Sequence, residues 1–248
     1  MIIDYKHPDT AVLTLNRPES LNALNRAALE ELFHFLNAVG PQKNLKAIVL
    51  TGAGNKAFAA GADIKEMESM NPFEFRYFLE LGQKVTNFLE NSPLLTFAAV
   101  NGYALGGGFE LALSCDFIYA IPEAEMGLPE INLGILPGFG GIQRLARTIG
   151  VRKTKEMVLS GKKIGAVEAS RMGIVNQIYP REELITKTMD SIKDILSHSW
   201  HTIISIKHAC KIGSEMKLLE ALELEKELCT KCFDTPERAQ SMKKFIAR

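Results

Sequence analysis

Thr96-Phe97-Ala98-Ala99-Val100-Asn101-Gly102, continued by Tyr103-Ala104-Leu105-Gly106-Gly107-Gly108-Phe109-Glu110-Leu111, is the stretch on which the reading of this chain turns. Its first half is a short apolar run closed by glycine, the pattern of a buried strand. Its second half passes through three glycines into a helical pattern over residues 109–114. Strand, glycine turn and helix in succession expose helix N-terminal amides to a ligand. With the helix begun near Gly107, Glu110 lies three residues on, on the face where the Gly107 amide lacks an intrahelical partner. The plain reading is a first-turn acid that complements the helix dipole. The chemical reading is a donor and a carboxylate flanking one substrate.

The glycine run is not a dinucleotide fingerprint, because Phe109, Glu110 and Leu111 follow Gly108 and a first-turn glutamate would repel a phosphate. A second acid, Glu130, follows Gly127-Leu128-Pro129, and Gly134, Pro137 and Gly138 come soon after it in a loop. Read alone, Glu130 is a surface loop residue. Two carboxylates near glycine-freed amides, however, suit proton transfer on a substrate whose carbonyl becomes an oxyanion. A further small-residue loop, Phe58-Ala59-Ala60-Gly61-Ala62-Asp63-Ile64, allows close backbone approach to a ligand, and Asp63 is placed to cap the next helix.

Outward from these loops the first half of the chain alternates short strands with helices. Residues 2–5 and 11–15 read as a hairpin, 22–39 as a helix with Leu24, Ala28, Leu32 and Phe35 on one face, and 46–51 as a buried strand. Pro72–Asn91 reads as a helix with proline in its first turn, Phe117–Ala120 as a strand, and Gly141–Ile149 as a helix after a Gly/Pro-rich loop. Beyond Val151 the pattern is mostly helical, over residues 153–160, 167–172, 182–196, 199–212, 215–233 and 236–247. The expected division is a core over residues 1–195 and a helical region over 196–248. Leu218, Leu219, Leu222, Leu228 and Phe233 make that tail amphipathic, and such a surface needs a partner, its own core or a second subunit.

Composition narrows the partners. The 248 residues are 46% hydrophobic and 23% charged, with 29 basic and 29 acidic side chains, so no net field attracts nucleic acid or an anionic membrane. Arg152, Lys153 and Lys155 form the one basic run, read as a solvated helix face. The apolar runs fall short of the roughly 20 residues of a membrane span, and the N-terminus has no signal pattern, so a soluble, cytoplasmic protein is expected. Cys115, Cys210, Cys229 and Cys232 do not form a disulfide framework. Cys229 and Cys232 sit one helical turn apart, and His198, His201 and His208 lack an acidic ligand run, so no metal site is expected.

Taken together, these segments resemble the enoyl-CoA hydratase/isomerase, or crotonase, superfamily. The likeness runs through Asn16-Arg17-Pro18, Leu21-Asn22-Ala23-Leu24, Ala59 to Ile64, the glycine run to Leu111, Pro129-Glu130, Pro137-Gly138, Gly140-Gly141-Ile142-Gln143-Arg144-Leu145 and Gly173-Ile174-Val175-Asn176. The resemblance implies an α/β fold, a crotonase-like spiral of ββα units with a helical C-terminal region for trimerisation, commonly in a hexamer. It implies an acyl-CoA thioester bound with its oxygen on the amides of Ala62 and Gly107, with Ala60, Asp63, Ile64, Lys65 and Gly138 as further contacts. Coenzyme A is then part of the substrate, and no separate cofactor is expected. Because Glu110 and Glu130 are both present, the resemblance implies hydration of a trans-2-enoyl-CoA, with 3,2-enoyl-CoA isomerisation as the alternative and RNA binding as a remote one. The Gly138 amide is expected to hold the water or Glu130. The acyl pocket is expected to draw on the segments around Met67 to Phe78 and Phe139 to Ile142; Phe109 and Ile142 depart from the family pattern and are expected to reshape it, and Gln240-Ser241 departs from that pattern near the C-terminus.

Overall fold

A computed structural model describes residues 1–39 and 44–247. The chain divides into two compact units, Met1–Thr188 and Met189–Arg248. In the first, β1 (Ile2–His7) and β2 (Thr10–Leu15) form the expected antiparallel hairpin. From β2 onward the sheet is parallel, through β3 (Ala47–Gly52), β5 (Leu95–Val100), β7 (Phe117–Ala120) and β10 (Gln177–Ile178), in the order β1-β2-β3-β5-β7-β10. Every residue of β3 and β5 is buried. Strands covered on both faces need apolar side chains at every position, so they read as continuous runs instead of alternating ones. Phe97 stacks on Phe117 with ring centroids 4.7 Å apart, tying β5 to β7.

A second sheet, ordered β4-β6-β8-β9, is built from strands of three residues: β4 (Ala57–Ala59), β6 (Tyr103–Leu105), β8 (Glu125–Gly127) and β9 (Lys163–Gly165). Each of the first three follows directly on a strand of the large sheet, and helical segments come next, Ile64–Glu68 and Pro72–Asn91 after β4 and Gly107–Leu113 after β6. Successive units move one place along both sheets, which is the spiral of ββα units that the family resemblance implies. Gly52 and Gly102 make the tight passages between the sheets: a Cβ on Gly52 would lie 2.2 Å from the Ala57 carbonyl oxygen, and one on Gly102 2.2 Å from that of Lys56. Asn101 laces neighbouring units together, donating to the carbonyls of Gly52 at 2.7 Å and Gly54 at 3.0 Å and accepting from the Gly52 amide at 3.1 Å. The glycine run thus leaves β6 from a fixed base.

The helix Pro72–Asn91 has the expected bounds, with Asn71 and Glu74 forming a reciprocal capping box around Pro72. The first helix starts later than its apolar spacing predicts, at Arg26 with Asn25 as its cap. Asn22 is diverted: at φ +58° it accepts from the Arg17 amide and donates to the carbonyls of Ala53 and Ala57. Asparagine tolerates this left-handed backbone better than other non-glycine residues. The helix also ends in a π-helical turn, Phe35–Val39.

The second unit holds the helices Trp200–Gly213, Leu218–Phe233 and Pro236–Ile246. Leu218, Leu219, Phe245 and Ile246 are all more than 70% exposed on them, at 73%, 78%, 77% and 83%. Among the described residues no three His, Cys, Asp or Glu side chains are placed to hold a metal ion, and no helix is long and apolar enough to cross a membrane. Within the basic run, Lys153 pairs with Glu156 at 2.8 Å.

Candidate active site

A cavity of about 120 Å³ in the first unit collects most of the residues singled out in the sequence: Ala60, Ala62, Ile64, Gly107, Glu110, Glu130 and Gly138. The Ala60–Asp63 segment is fastened from outside. The Ala60 amide donates to the Leu21 carbonyl, the Leu24 amide to Gly61, and the Asp63 amide to Leu24. With Gly61 oxygen and Asp63 nitrogen both facing Leu24, extended-chain alternation turns the Ala62 N–H the other way. Gly107 opens its helix, so its amide is one of the N-terminal donors with no intrahelical acceptor, whereas the Glu110 amide already bonds back to Gly106. A Cβ built on Gly107 would lie 3.6 Å from the Ala62 nitrogen, so the two residues stand side by side at the cavity wall. Gly106 enters the turn at φ +50°, and a Cβ on Gly108 would lie 2.0 Å from the Ala59 carbonyl oxygen, so the helix seats on β4 only with glycine there.

Asp63 caps the helix Ile64–Glu68 and pairs with Arg17 at 2.9 Å. Burial pushes its carboxyl up, but the Arg17 guanidinium and the amides of Glu66 and Lys65 outweigh that and hold it below the usual range. Asp63 and the exposed Lys65 stand outside the cavity wall.

Glu110 is 1% exposed, and its Oε1 accepts from the amides of Phe139 at 2.8 Å and Gly141 at 2.7 Å. Burial raises its pKa, against the pull of those two amides and the charge of Arg144; the Gly138 amide adds a smaller pull from outside hydrogen-bonding geometry. The Gly138 amide therefore also acts on Glu110. Gly141 must be glycine, because a Cβ would come within 2.6 Å of Glu110 Cγ.

The loop that presents these amides is itself gripped through its carbonyls. Gln83 donates to Gly138 at 2.8 Å, while Thr86 and Arg144 both donate to Phe139 at 2.9 Å. Arg144 also binds Glu90 through two nitrogens, at 3.0 and 2.8 Å, and Asn87 at 3.0 Å. The helix Pro72–Asn91 thus fixes the loop, and the loop fixes Glu110. Arg144 lies in the quoted Gly-Gly-x-Gln-Arg-Leu run, but nothing local in the sequence marks Gln83, Thr86 or Glu90 as its partners.

Glu130 stands on a short 3-10 turn, Glu130–Leu133, behind Pro129 and closed by Gly134 at φ +71°. Its Oε2 is buried and has no hydrogen-bond partner. Burial, opposed by its own amide and reinforced by the nearby charge of Glu110, pushes its pKa up to about 7. A Cβ on Gly106 would meet Glu130 Oε1 at 2.9 Å, so a bare backbone turn is needed beside this carboxyl.

The expected acyl wall needs correction. Met67, Phe75, Phe78 and Phe139 do line the cavity, with Leu79, Leu133, Ile135 and Leu136. Phe109 and Ile142 do not: Phe109 is fully buried away from the lining, and Ile142 is half-buried just beyond Gly141.

A family model for enoyl-CoA hydratase/isomerase matches residues 7–248. The chain belongs to that family. It is 40% identical over 247 residues to a short-chain-enoyl-CoA hydratase of Clostridium acetobutylicum, covering 100% of this chain and 95% of the relative. It is 39% identical over 247 residues to a crotonyl-CoA hydratase of Syntrophomonas wolfei, with the same coverage of 100% and 95%. An enoyl-CoA hydratase structure from Bacillus anthracis superposes with a TM-score of 0.95 at 37% identity, over 99% of this chain and 95% of that one. The protein therefore has the family's fold over its whole length.

Proposed function

We infer that the protein is an enoyl-CoA hydratase that adds water across the 2,3 double bond of trans-2-enoyl-CoA thioesters to give 3-hydroxyacyl-CoA. The observation that carries this reading is the buried, unpartnered Glu130 Oε2 in the same cavity as a Glu110 whose other face is held by two amides. Two carboxyls in unlike surroundings are what a reaction needing both a base and an acid requires.

In this reading the thioester oxygen accepts from the amides of Ala62 and Gly107, and each such donor typically contributes about 3 to 4 kcal/mol to the transition state. Glu110 takes a proton from water as its oxygen bonds to C3, and the C2=C3 π electrons move toward the thioester carbonyl. Protonated Glu130 gives its proton to C2. The net addition is H and OH; Glu110 is left protonated and Glu130 ionised, and a proton returns between them through solvent. The pKa of about 7 keeps Glu130 partly protonated at neutral pH, which supports its role as the acid.

Hydration of crotonyl-CoA, followed at the enoyl thioester absorbance, tests the reading. Glu110→Gln and Glu130→Gln should each lose on the order of 10²- to 10⁴-fold in kcat. Retained hydration in either would contradict the two-acid mechanism. Retained conversion of a 3-enoyl to a 2-enoyl thioester by Glu110→Gln, with no hydration in the unaltered protein, would make it an isomerase.

The same proposal takes the acyl-CoA thioester as substrate, with no separate cofactor, and a homo-oligomer, trimer or hexamer, as the working form in the cytoplasm. The exposed leucines and phenylalanines of the C-terminal helices support the assembly, and sedimentation equilibrium would count the subunits.

A further inference from the structure

We propose that the side chain of Phe139 sets the acyl-chain length this site accepts, confining it to short enoyl thioesters; the inference rests on the hydratase reading above. The ring is only 3% exposed and lines the cavity. It fills space that two glycines on different helices leave open. A Cβ on Gly82 would lie 2.2 Å from the ring, and one on Gly107 would lie 3.0 Å from Cε2. Phe78 backs it, with ring centroids 5.5 Å apart. Its own backbone is fixed at both ends, the amide on Glu110 and the carbonyl on Thr86 and Arg144. The backbone that carries the ring is thus held, and the ring itself packs against Gly82, Gly107 and Phe78.

The direction of the substrate follows from the chemistry. The thioester oxygen sits against Gly107, and C3 must approach Glu110. Carbons beyond C3 then leave Glu110 beside Phe139, whose amide is 2.8 Å from the Glu110 carboxylate. An apolar cavity of about 150 Å³ accommodates one benzene molecule, and this one measures about 120 Å³. A four-carbon acyl group is of that size, whereas an eight-carbon chain exceeds it and, in this proposal, meets the Phe139 ring. Leu79, which a Cβ on Gly138 would touch at 2.4 Å through its Cδ2, lines the same cavity.

The test is kcat/KM for hydration of trans-2-enoyl-CoA with four, six and eight acyl carbons, in the unaltered protein and in Phe139→Leu and Phe139→Ala. In the unaltered protein the value should fall at least about tenfold from four to eight carbons, the scale at which pockets discriminate by methylene groups. Both variants should raise the eight-to-four ratio by about tenfold, mainly through a lower KM for the longer substrate. A flat profile in the unaltered protein overturns the inference while leaving the hydratase reading intact, and it does so even if neither variant folds. Equal losses at all lengths in the variants also overturn it, because a purely structural ring would act that way. No hydration of any length by the unaltered protein would instead remove the hydratase reading.

Discussion

Glu110 and Glu130 share a cavity but are held in opposite ways. Glu110 rises from a buried helix, is anchored through one oxygen by two amides, and has a guanidinium nearby. Glu130 rests on a four-residue 3-10 turn and keeps a buried oxygen with no partner. In the proposed mechanism the base that aims a water profits from a rigid mount, and the acid that holds a proton near neutral pH profits from poor stabilisation of its charge. The contrast lies in the supports, since the two side chains are chemically identical.

The sharpest way to break the contrast is to dislodge the rigid partner. Gly141→Ala places a Cβ 2.6 Å from Glu110 Cγ, so the carboxylate must move off both amides. Each hydrogen bond to a charged group is worth about 1.5 to 3 kcal/mol; kcat for crotonyl-CoA should fall on the order of 100-fold, with the fold retained by circular dichroism. An unchanged kcat would mean that the mount is irrelevant.

A milder break acts one step further out. Arg144→Gln removes the grip on the Phe139 carbonyl and the ion pair with Glu90, and also the positive charge that pulls the Glu110 pKa down. About a tenfold loss in kcat is expected, together with an acidic limb of the pH–rate profile moved to higher pH. Arg144→Lys, which keeps the charge but not the fork, should restore the limb more than the rate. A loss of rate with no shift of the limb would confine Arg144 to holding the loop.

The smallest effect sharpens the picture from the Glu130 side. Its folded pKa is raised from 4.5 to about 7, so folding disfavours its ionised form, and the protein should lose stability as pH rises from about 4.5 through about 7. Glu130→Gln escapes that loss. Urea unfolding should find the variant on the order of 2 kcal/mol more stable than the unaltered protein at pH 8, after allowance for solvent screening, and no more stable at pH 4. Hydration by the unaltered protein should decline over the same upper range, because the proton donor is being lost.

How much of this was legible in the sequence differs from element to element. Most of the large sheet was, because β3 and β5 are long apolar runs, though its two-residue β10 was not, and Pro72–Asn91 was too, since its proline and apolar spacing announce it. The second sheet was not: strands of three residues are too short for any periodicity to register, and only family resemblance supplied them. Glu110, Glu130, Ala62 and Gly107 were flagged by glycine and proline around them. Their supports were hidden, since the amides that hold Glu110 lie 29 and 31 residues away and the grip of Arg144 on Glu90 spans 54. Phe109 misled for a related reason: it is adjacent to Glu110 in sequence yet is fully buried away from the cavity lining, whereas Phe139, within a segment expected at the acyl pocket, forms part of the wall.

The loop from Gly138 to Gly141 grips Glu110 with main-chain groups alone. The side chain at position 139, alone in a loop of glycines, can therefore be exchanged over evolutionary time without releasing Glu110, so in the proposed reading one scaffold can be retuned to new thioesters there while its chemistry is inherited unchanged.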